Sequence, residues 1–219
     1  MTTLVPVLAI DGPSGSGKGT VAAKVASALG FRCLDSGALY RILVFQADRK
    51  GIELDQTAAL VDLAETIEVE FVEGRVLLGG EDVTDAIRSE SVGAKASKIA
   101  AVAEIRQALL SLQRRCVRPP GLVADGRDMG TIVFPNANLK IYLTASAEER
   151  AQRRHKQLIA KGQGGSLRAL VEDISARDDR DMNRDTAPLK PADDSIEIDS
   201  TQMTIDEVVD CVLHHWQNR

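Results

Sequence analysis

The residues with the plainest chemical promise are Gly12-Pro13-Ser14-Gly15-Ser16-Gly17-Lys18-Gly19-Thr20. Glycines spaced through a short loop let the backbone curl so that several N–H groups point at one centre. A helix begun at Lys18 aims its positive end at the same point. Lys18 is placed to reach the β- and γ-phosphates of a nucleoside triphosphate. The segment Gly12–Thr20 therefore predicts a triphosphate site. In the usual form of this motif Ser or Thr follows the lysine directly, whereas here Gly19 intervenes before Thr20. That spacing leaves open whether Thr20 ligates a divalent cation directly or through water. Asp125, at the end of the apolar run Leu122–Ala124, reads either as a carboxylate holding that ion's waters or as a simple strand-end acid.

Three further clusters have a bland and a functional reading each. Asp35-Ser36-Gly37-Ala38-Leu39-Tyr40-Arg41 puts a hydroxyl and backbone donors at a helix start, with Arg41 a turn and a half on. It is either a cap with a surface arginine or a second anion site. Asp125-Gly126-Arg127-Asp128-Met129-Gly130-Thr131 follows a buried strand, where open α/β sheets place their ligands. Arg127 and Asp128 offer one ligand a cation and a carboxylate, or else form a satisfied salt-bridge loop. Arg177, Asp181 and Arg184 fall at i, i+4 and i+7 on one helix face. They read as a solvated ion ladder or as a strip facing a phosphorylated sugar, with Asp181 accepting from ribose hydroxyls.

These groups need elements to hold them. Leu4–Ile10 reads as a buried strand, Lys18–Leu29 as a helix stopped by Gly30, Phe31–Leu34 as a second strand and Ala38–Arg49 as a second helix. That β-loop-α-β-α alternation predicts a parallel sheet with helices on its faces. Glu68–Leu78 reads as a strand pair around Glu73-Gly74, continued by Glu81–Val83, and looks inserted. Ile99–Val117 reads as one amphipathic helix ended by Pro119-Pro120-Gly121. Leu122–Ala124 and Leu139–Leu143 are buried-strand candidates. Glu148–Ile159 and Leu167–Asp181 are charged helices joined by the glycine-rich Lys161–Gly165. Ser195–Ile198 and Ile205–Trp216 are the last strand and helix.

Composition narrows the function classes. A chain of 219 residues suits one domain with an insertion. With 44% hydrophobic and 27% charged residues it is globular in balance. Aromatics at 3% leave few stacking platforms, and a net charge of −5 disfavours nucleic-acid binding. From Arg150 to Lys190, however, ten Lys/Arg face six Asp/Glu. This locally basic region fits solvated helix faces or a site for a polyanionic small molecule. No apolar run reaches the ~18 residues of a membrane span, and the N-terminal run lacks the basic leader of a signal peptide. Cys33, Cys116 and Cys211 are odd in number and scattered, so neither a disulfide framework nor a zinc pattern is expected. A reducing cytoplasm is the expected compartment.

The four clusters in this order resemble the bacterial cytidylate kinases, from Leu4 to about Asp199. Ser97 and Arg106, nine apart, match that family's base-reading positions. The resemblance implies an α/β fold: a five-stranded parallel-sheet P-loop kinase core with helices on both faces, a small β-containing acceptor-binding insertion and a short lid. In a single domain of residues 1–219, the core would span about 1–36 and 119–219, the insertion about 37–118 and the lid about 150–166. Ser36, Arg41, Arg127 and Arg184 would hold the phosphate of CMP. Ser97, Arg106 and Asp128 would read cytosine, and Arg177 and Asp181 would hold the ribose. Gly12 through Thr20 would hold ATP with Mg2+, the ion touching Thr20 and Asp125 through water. Arg154, which shares a helix face with Arg150, would reach ATP from the lid. Lys18, Arg41, Arg127 and Arg184 would be the catalytic cations. The implied reaction is reversible phosphorylation of CMP, and of dCMP, by a cytoplasmic monomer with no nucleic-acid or membrane partner. A kinase for UMP, AMP or a metabolite hydroxyl is the nearest alternative. A nucleotide-dependent switch is the alternative from another class, and the sequence offers no water-orienting residue for one.

Overall fold

The computed structural model describes residues 5–72, 74–160, 162 and 164–219. Leu4, Glu73, Lys161 and Gln163, which the sequence reading places at a strand start, in a hairpin turn and in a helix connection, lie outside the described residues. Strand β1 (Val7–Asp11) leads through the glycine loop into helix α1 (Lys18–Leu29), then β2 (Arg32–Asp35) and α2 (Ser36–Lys50). α1 has the bounds expected of it. Gly17 and Gly30 flank it at φ of +88° and +65°, left-handed conformations that suit glycine. β2 and α2 are displaced slightly from Phe31–Leu34 and Ala38–Arg49. Asp35 closes the strand and caps the helix, its side chain accepting from the Ala38 N–H at 3.0 Å.

Next come α3 (Thr57–Glu65), the antiparallel strands β3 (Val69–Val72), β4 (Arg75–Leu78) and β5 (Glu81–Asp82), a 3-10 turn at Ala86–Arg88, and α4 (Glu90–Ile99). The sequence predicts the small sheet but neither α3 nor α4. The single helix expected over Ile99–Val117 is instead the end of α4 at Ile99, a break, and α5 (Ala103–Arg115). Ile99, Val102, Ile105 and Leu109 keep helical spacing across the break, so periodicity alone runs the two together. Val102 is in fact extended, at φ −83° and ψ 119°.

The chain continues through β6 (Leu122–Gly126), a π-helical turn at Met129–Val133, β7 (Leu139–Thr144), α6 (Ala147–Ala160), α7 (Leu167–Asn183), β8 (Ile196–Asp199) and α8 (Ile205–Gln217). β6 runs past Ala124, so Asp125 is a strand residue, paired with Ile10 on one side and Asp35 on the other.

The main sheet has five strands in the order β2-β6-β1-β7-β8, all parallel, as expected. Side chains alternate across β1 and so reach both faces. Val7 and Ala9 join the cluster built with Leu39, Ile42 and Leu43 of α2 and Ile105 of α5. Leu8 and Ile10 join Val21 and Val25 of α1 and Val208 and Val212 of α8. With both faces covered, a parallel sheet binds ligands beyond the carboxyl ends of its strands. Asp11, Asp35 and Asp125 stand at those ends on β1, β2 and β6.

Candidate active site

The glycine loop leaves β1 at Gly12, where a Cβ would overlap the Leu143 carbonyl oxygen of β7. Among the described residues, no backbone carbonyl accepts from the N–H groups of Gly15 through Gly19. These donors lie at the start of α1, where the helix dipole favours an anion. Lys18 is buried, and its ammonium donates to the Pro13 carbonyl at 3.0 Å.

Two arginines of α6 hold the loop from outside. Arg150 donates to the Ser14 carbonyl at 2.9 Å and pairs with Asp178 of α7 at 2.5 Å. Arg153 donates to the Ser16 carbonyl at 3.3 Å and to the Ser200 carbonyl at 2.6 Å. Arg154 is not brought to the loop and pairs with Glu90 of α4. Arg153 is absent from the sequence reading, because an arginine on a charged helix looks solvated until its partners across the fold are known.

The Asp125 carboxylate lies over Gly19, where a Cβ would stand 3.0 Å from Oδ2. This accounts for the glycine after the lysine: a Ser or Thr there would crowd the acid. Burial pulls the Lys18 ammonium below its usual range, with Arg127 adding to the effect and Asp125 opposing it. Burial pushes the Asp125 carboxyl up, and the Lys18 charge resists. Asp125 Oδ1 is buried without a hydrogen-bond partner. An orphaned carboxylate oxygen beside a phosphate loop fits the water shell of a divalent cation. Thr20 is exposed on the first turn of α1, beside the loop.

The remaining predicted residues come from α2, α4, α5, α7 and the turn after β6. The Asp11 carboxylate accepts from the backbone N–H groups of Met129 at 2.8 Å and Gly130 at 2.7 Å. It thereby anchors the turn that carries Arg127 and Asp128. Burial pushes its pKa up to about 6 against those two hydrogen bonds. Arg127 Nε donates to Asp181 Oδ2 at 2.9 Å. Asp128 pairs with Arg106, and Arg184 Nη2 lies 4.0 Å from Asp128 Oδ1. Arg106 also donates to the Ala100 carbonyl at 3.1 Å. Ser97 Oγ is buried and unpartnered on α4. Ser36 Oγ accepts from Gln113 Nε2 of α5 at 3.1 Å. Asp11, Gln113 and Arg153 are the polar residues here that sequence reasoning missed. Only Asp11, the acid closing the first strand, leaves a readable trace.

Positive charge is in excess. Arg177 is drawn down to about 10 by burial, with Arg127 adding to it, and its Nε has no partner. Burial also lowers Arg41, which Asp35 opposes, and Arg184, where Arg106 adds to the effect. Asp181 is held below the usual carboxylate range: burial opposes its charge, but Arg127 and Arg177 outweigh that. Half-buried and buried cations that repel one another are relieved by an anion placed among them.

The chain is 56% identical to the cytidylate kinase of Pseudomonas paraeruginosa, covering 100% of this chain and 98% of that protein. It is 55% identical to the cytidylate kinase of Stutzerimonas stutzeri, covering 98% and 96%. Among solved structures, the crystal structure of an uncharacterised protein from Eubacterium ventriosum matches at a TM-score of 0.54 and 14% identity, covering 98% of this chain and 99% of that one. That likeness concerns the fold alone. The family model described as cytidylate kinase matches residues 8–218, and with that span the chain belongs to the cytidylate kinase family.

Proposed function

We propose that the protein transfers the γ-phosphoryl group of ATP to the phosphate of CMP, giving ADP and CDP reversibly, and that dCMP is also an acceptor. The observation that carries this reading is a set of buried cations that other cations press on: Arg127 disfavours the charges of Lys18, Arg41 and Arg177, and Arg106 disfavours that of Arg184. Two phosphate groups must approach each other in this reaction, and their repulsion is the main obstacle. The acceptor is already an anion, so no strong base is required. Catalysis then rests on positioning and on neutralising charge in the in-line transition state.

In this reading Gly12 through Thr20 bind the phosphates of ATP, and Lys18 follows the transferring group. Thr20 and Asp125 would hold Mg2+ through water, and the ion would supply charge neutralisation on the ATP phosphates. Ser36, Arg41, Arg127 and Arg184 bind the acceptor phosphate. Arg177 and Asp181 bind the ribose, and Ser97, Arg106 and Asp128 bind the base. Residues 37–118 form the acceptor-binding insertion and 150–166 the lid. Lid closure would free Arg154 from Glu90 for ATP and exclude water, the competing acceptor. A monomer is the proposed working form. The three free cysteines suit a reducing cytoplasm, and no helix among the described residues is long and apolar enough to cross a membrane.

An ADP-release assay over a panel of nucleoside monophosphates tests the reading. CMP and dCMP are expected to turn over well, and UMP, AMP and GMP poorly. A preference for AMP or UMP would overturn the acceptor assignment. A second expectation separates the two halves of the site. Arg41→Ala and Arg184→Ala should each weaken CMP about tenfold or more, since each removes a charge-assisted contact. ATP affinity, titrated separately, should change little. Equal loss for both nucleotides would put these arginines on the donor side.

A further inference from the structure

Gln113 is a buried polar residue that the proposed mechanism does not use. It lies on α5 at 2% exposure, two turns beyond Arg106 and on the same helix face. A buried amide is costly unless it finds partners. Its Nε2 donates to the hydroxyl oxygen of Ser36, the first residue of α2 and itself 4% exposed. A serine hydroxyl has one hydrogen and two acceptor lone pairs, whereas an amide nitrogen only donates. The contact therefore occupies a lone pair of Ser36 and leaves its hydrogen for another acceptor. Among the described residues that hydroxyl donates no hydrogen bond.

We infer that Gln113 is a positioning residue: by donating to Ser36 Oγ it directs the Ser36 hydrogen at an oxygen of the acceptor nucleotide. This rests on the reading of Ser36 as an acceptor-site residue. Without such a donor, the hydroxyl could turn either its hydrogen or its lone pairs toward an anionic ligand, and the second orientation is repulsive. The same helix then serves the acceptor twice, through Arg106 at the base and through Gln113 behind Ser36.

Gln113→Glu tests this with almost no change of shape. An ionised carboxylate only accepts, so Ser36 would turn its hydrogen toward residue 113 and present lone pairs to the nucleotide. CMP affinity should fall about tenfold, the cost of one reversed hydrogen bond in a buried site, while ATP affinity stays level. Ser36→Ala should weaken CMP as well. In the Ser36→Ala background Gln113→Glu should cost clearly less than in the wild-type protein, because the part of its effect that passes through the hydroxyl is already lost, leaving its contact with Tyr40 and its charge. Gln113→Leu, which adds no charge, should weaken CMP less than Gln113→Glu does, with thermal melting as the control for folding. Unchanged CMP affinity in a folded Gln113→Glu protein, with Ser36→Ala impaired, would overturn the inference and mean that the amide oxygen faces Ser36. A full additional loss in the double variant would also overturn it, making Gln113 merely structural. Unchanged affinity in Ser36→Ala would overturn the reading of Ser36 itself, and the inference with it.

Discussion

Replacing Lys18 with alanine is expected to lower kcat by roughly 10²-fold or more while the protein remains folded. A preorganised charge that follows developing negative charge contributes about 3 kcal/mol to a transition state. Lys18 meets the requirements for that role. It is the first residue of α1, at the focus of the loop's N–H groups, and it is held by one hydrogen bond to Pro13. It sits in a site where burial and Arg127 already disfavour its charge. An incoming phosphate reverses that disadvantage, so the ammonium interacts more strongly with the ligand than a solvated lysine would. Its one hydrogen bond is to the Pro13 carbonyl and burial disfavours its charge, so its loss should shift the melting temperature little. The assay is ADP release at saturating ATP and CMP, with thermal melting as the control for folding. Near-native turnover in a folded variant would remove Lys18 from the chemistry.

The parts of the fold that the sequence discloses are those where one local cause suffices. α1 is legible to the residue because left-handed glycines stop it at both ends. β6 and β7 are legible within two residues because burial on both faces leaves apolar runs, and β2 and β8 within one, whereas the strand expected from Leu4 begins only at Val7. α3 and α4 are not, because they are only nine and ten residues long and are held by packing, α3 on α2 and α5 and α4 on α2. The break between α4 and α5 is invisible because Ile99 and Val102 continue the hydrophobic rhythm through residues that are not helical. The turn at Met129–Val133 has no composition signal at all. It is held by the Asp11 carboxylate, 118 positions away from the Met129 N–H it binds.

The site divides in the same way. The glycine loop and the Arg127–Asp128 pair can be read from local spacing. The tasks of Arg150, Arg153 and Gln113 cannot, since each is defined by a partner on a distant element: the Ser14 and Ser16 carbonyls and the Ser36 hydroxyl. Arg154 shows the converse. Its position on a basic helix suggests phosphate, yet the structure gives it Glu90. Charged side chains on one helix look alike in sequence, and only the opposing surface tells them apart.

Asp128 should carry the choice of base, and its replacement should have the other large effect. Cytosine offers an amino donor at N4 beside an acceptor at N3, whereas uracil offers an acceptor at O4 beside N3–H. An ionised carboxylate only accepts, so it suits the cytosine amino group and is mismatched with uracil O4. Asp128 is 3% exposed, so a mismatch there is not relieved by water. On balance burial pushes its pKa up, although the charges of Arg106 and Arg184 resist and favour the acceptor-only form. Arg106, paired with Asp128 in this structure, would be the complementary donor for N3 or O2 in the proposed site. An unpaired buried group costs about 1–3 kcal/mol. Asp128→Ala should therefore reduce kcat/KM for CMP by roughly ten- to a hundredfold and bring the CMP/UMP ratio toward unity. Asp128→Asn makes the sharper comparison. Its amide adds a donor for O4 at unchanged size, so UMP should improve relative to CMP beyond what the alanine variant allows. Uracil N3–H could still reach the native carboxylate, so discrimination in the wild-type protein need not be absolute. If both variants lose activity while the CMP/UMP ratio stays high, Asp128 serves to hold Arg106 and Arg184 in place, and the base is read by Ser97 and Arg106 without it.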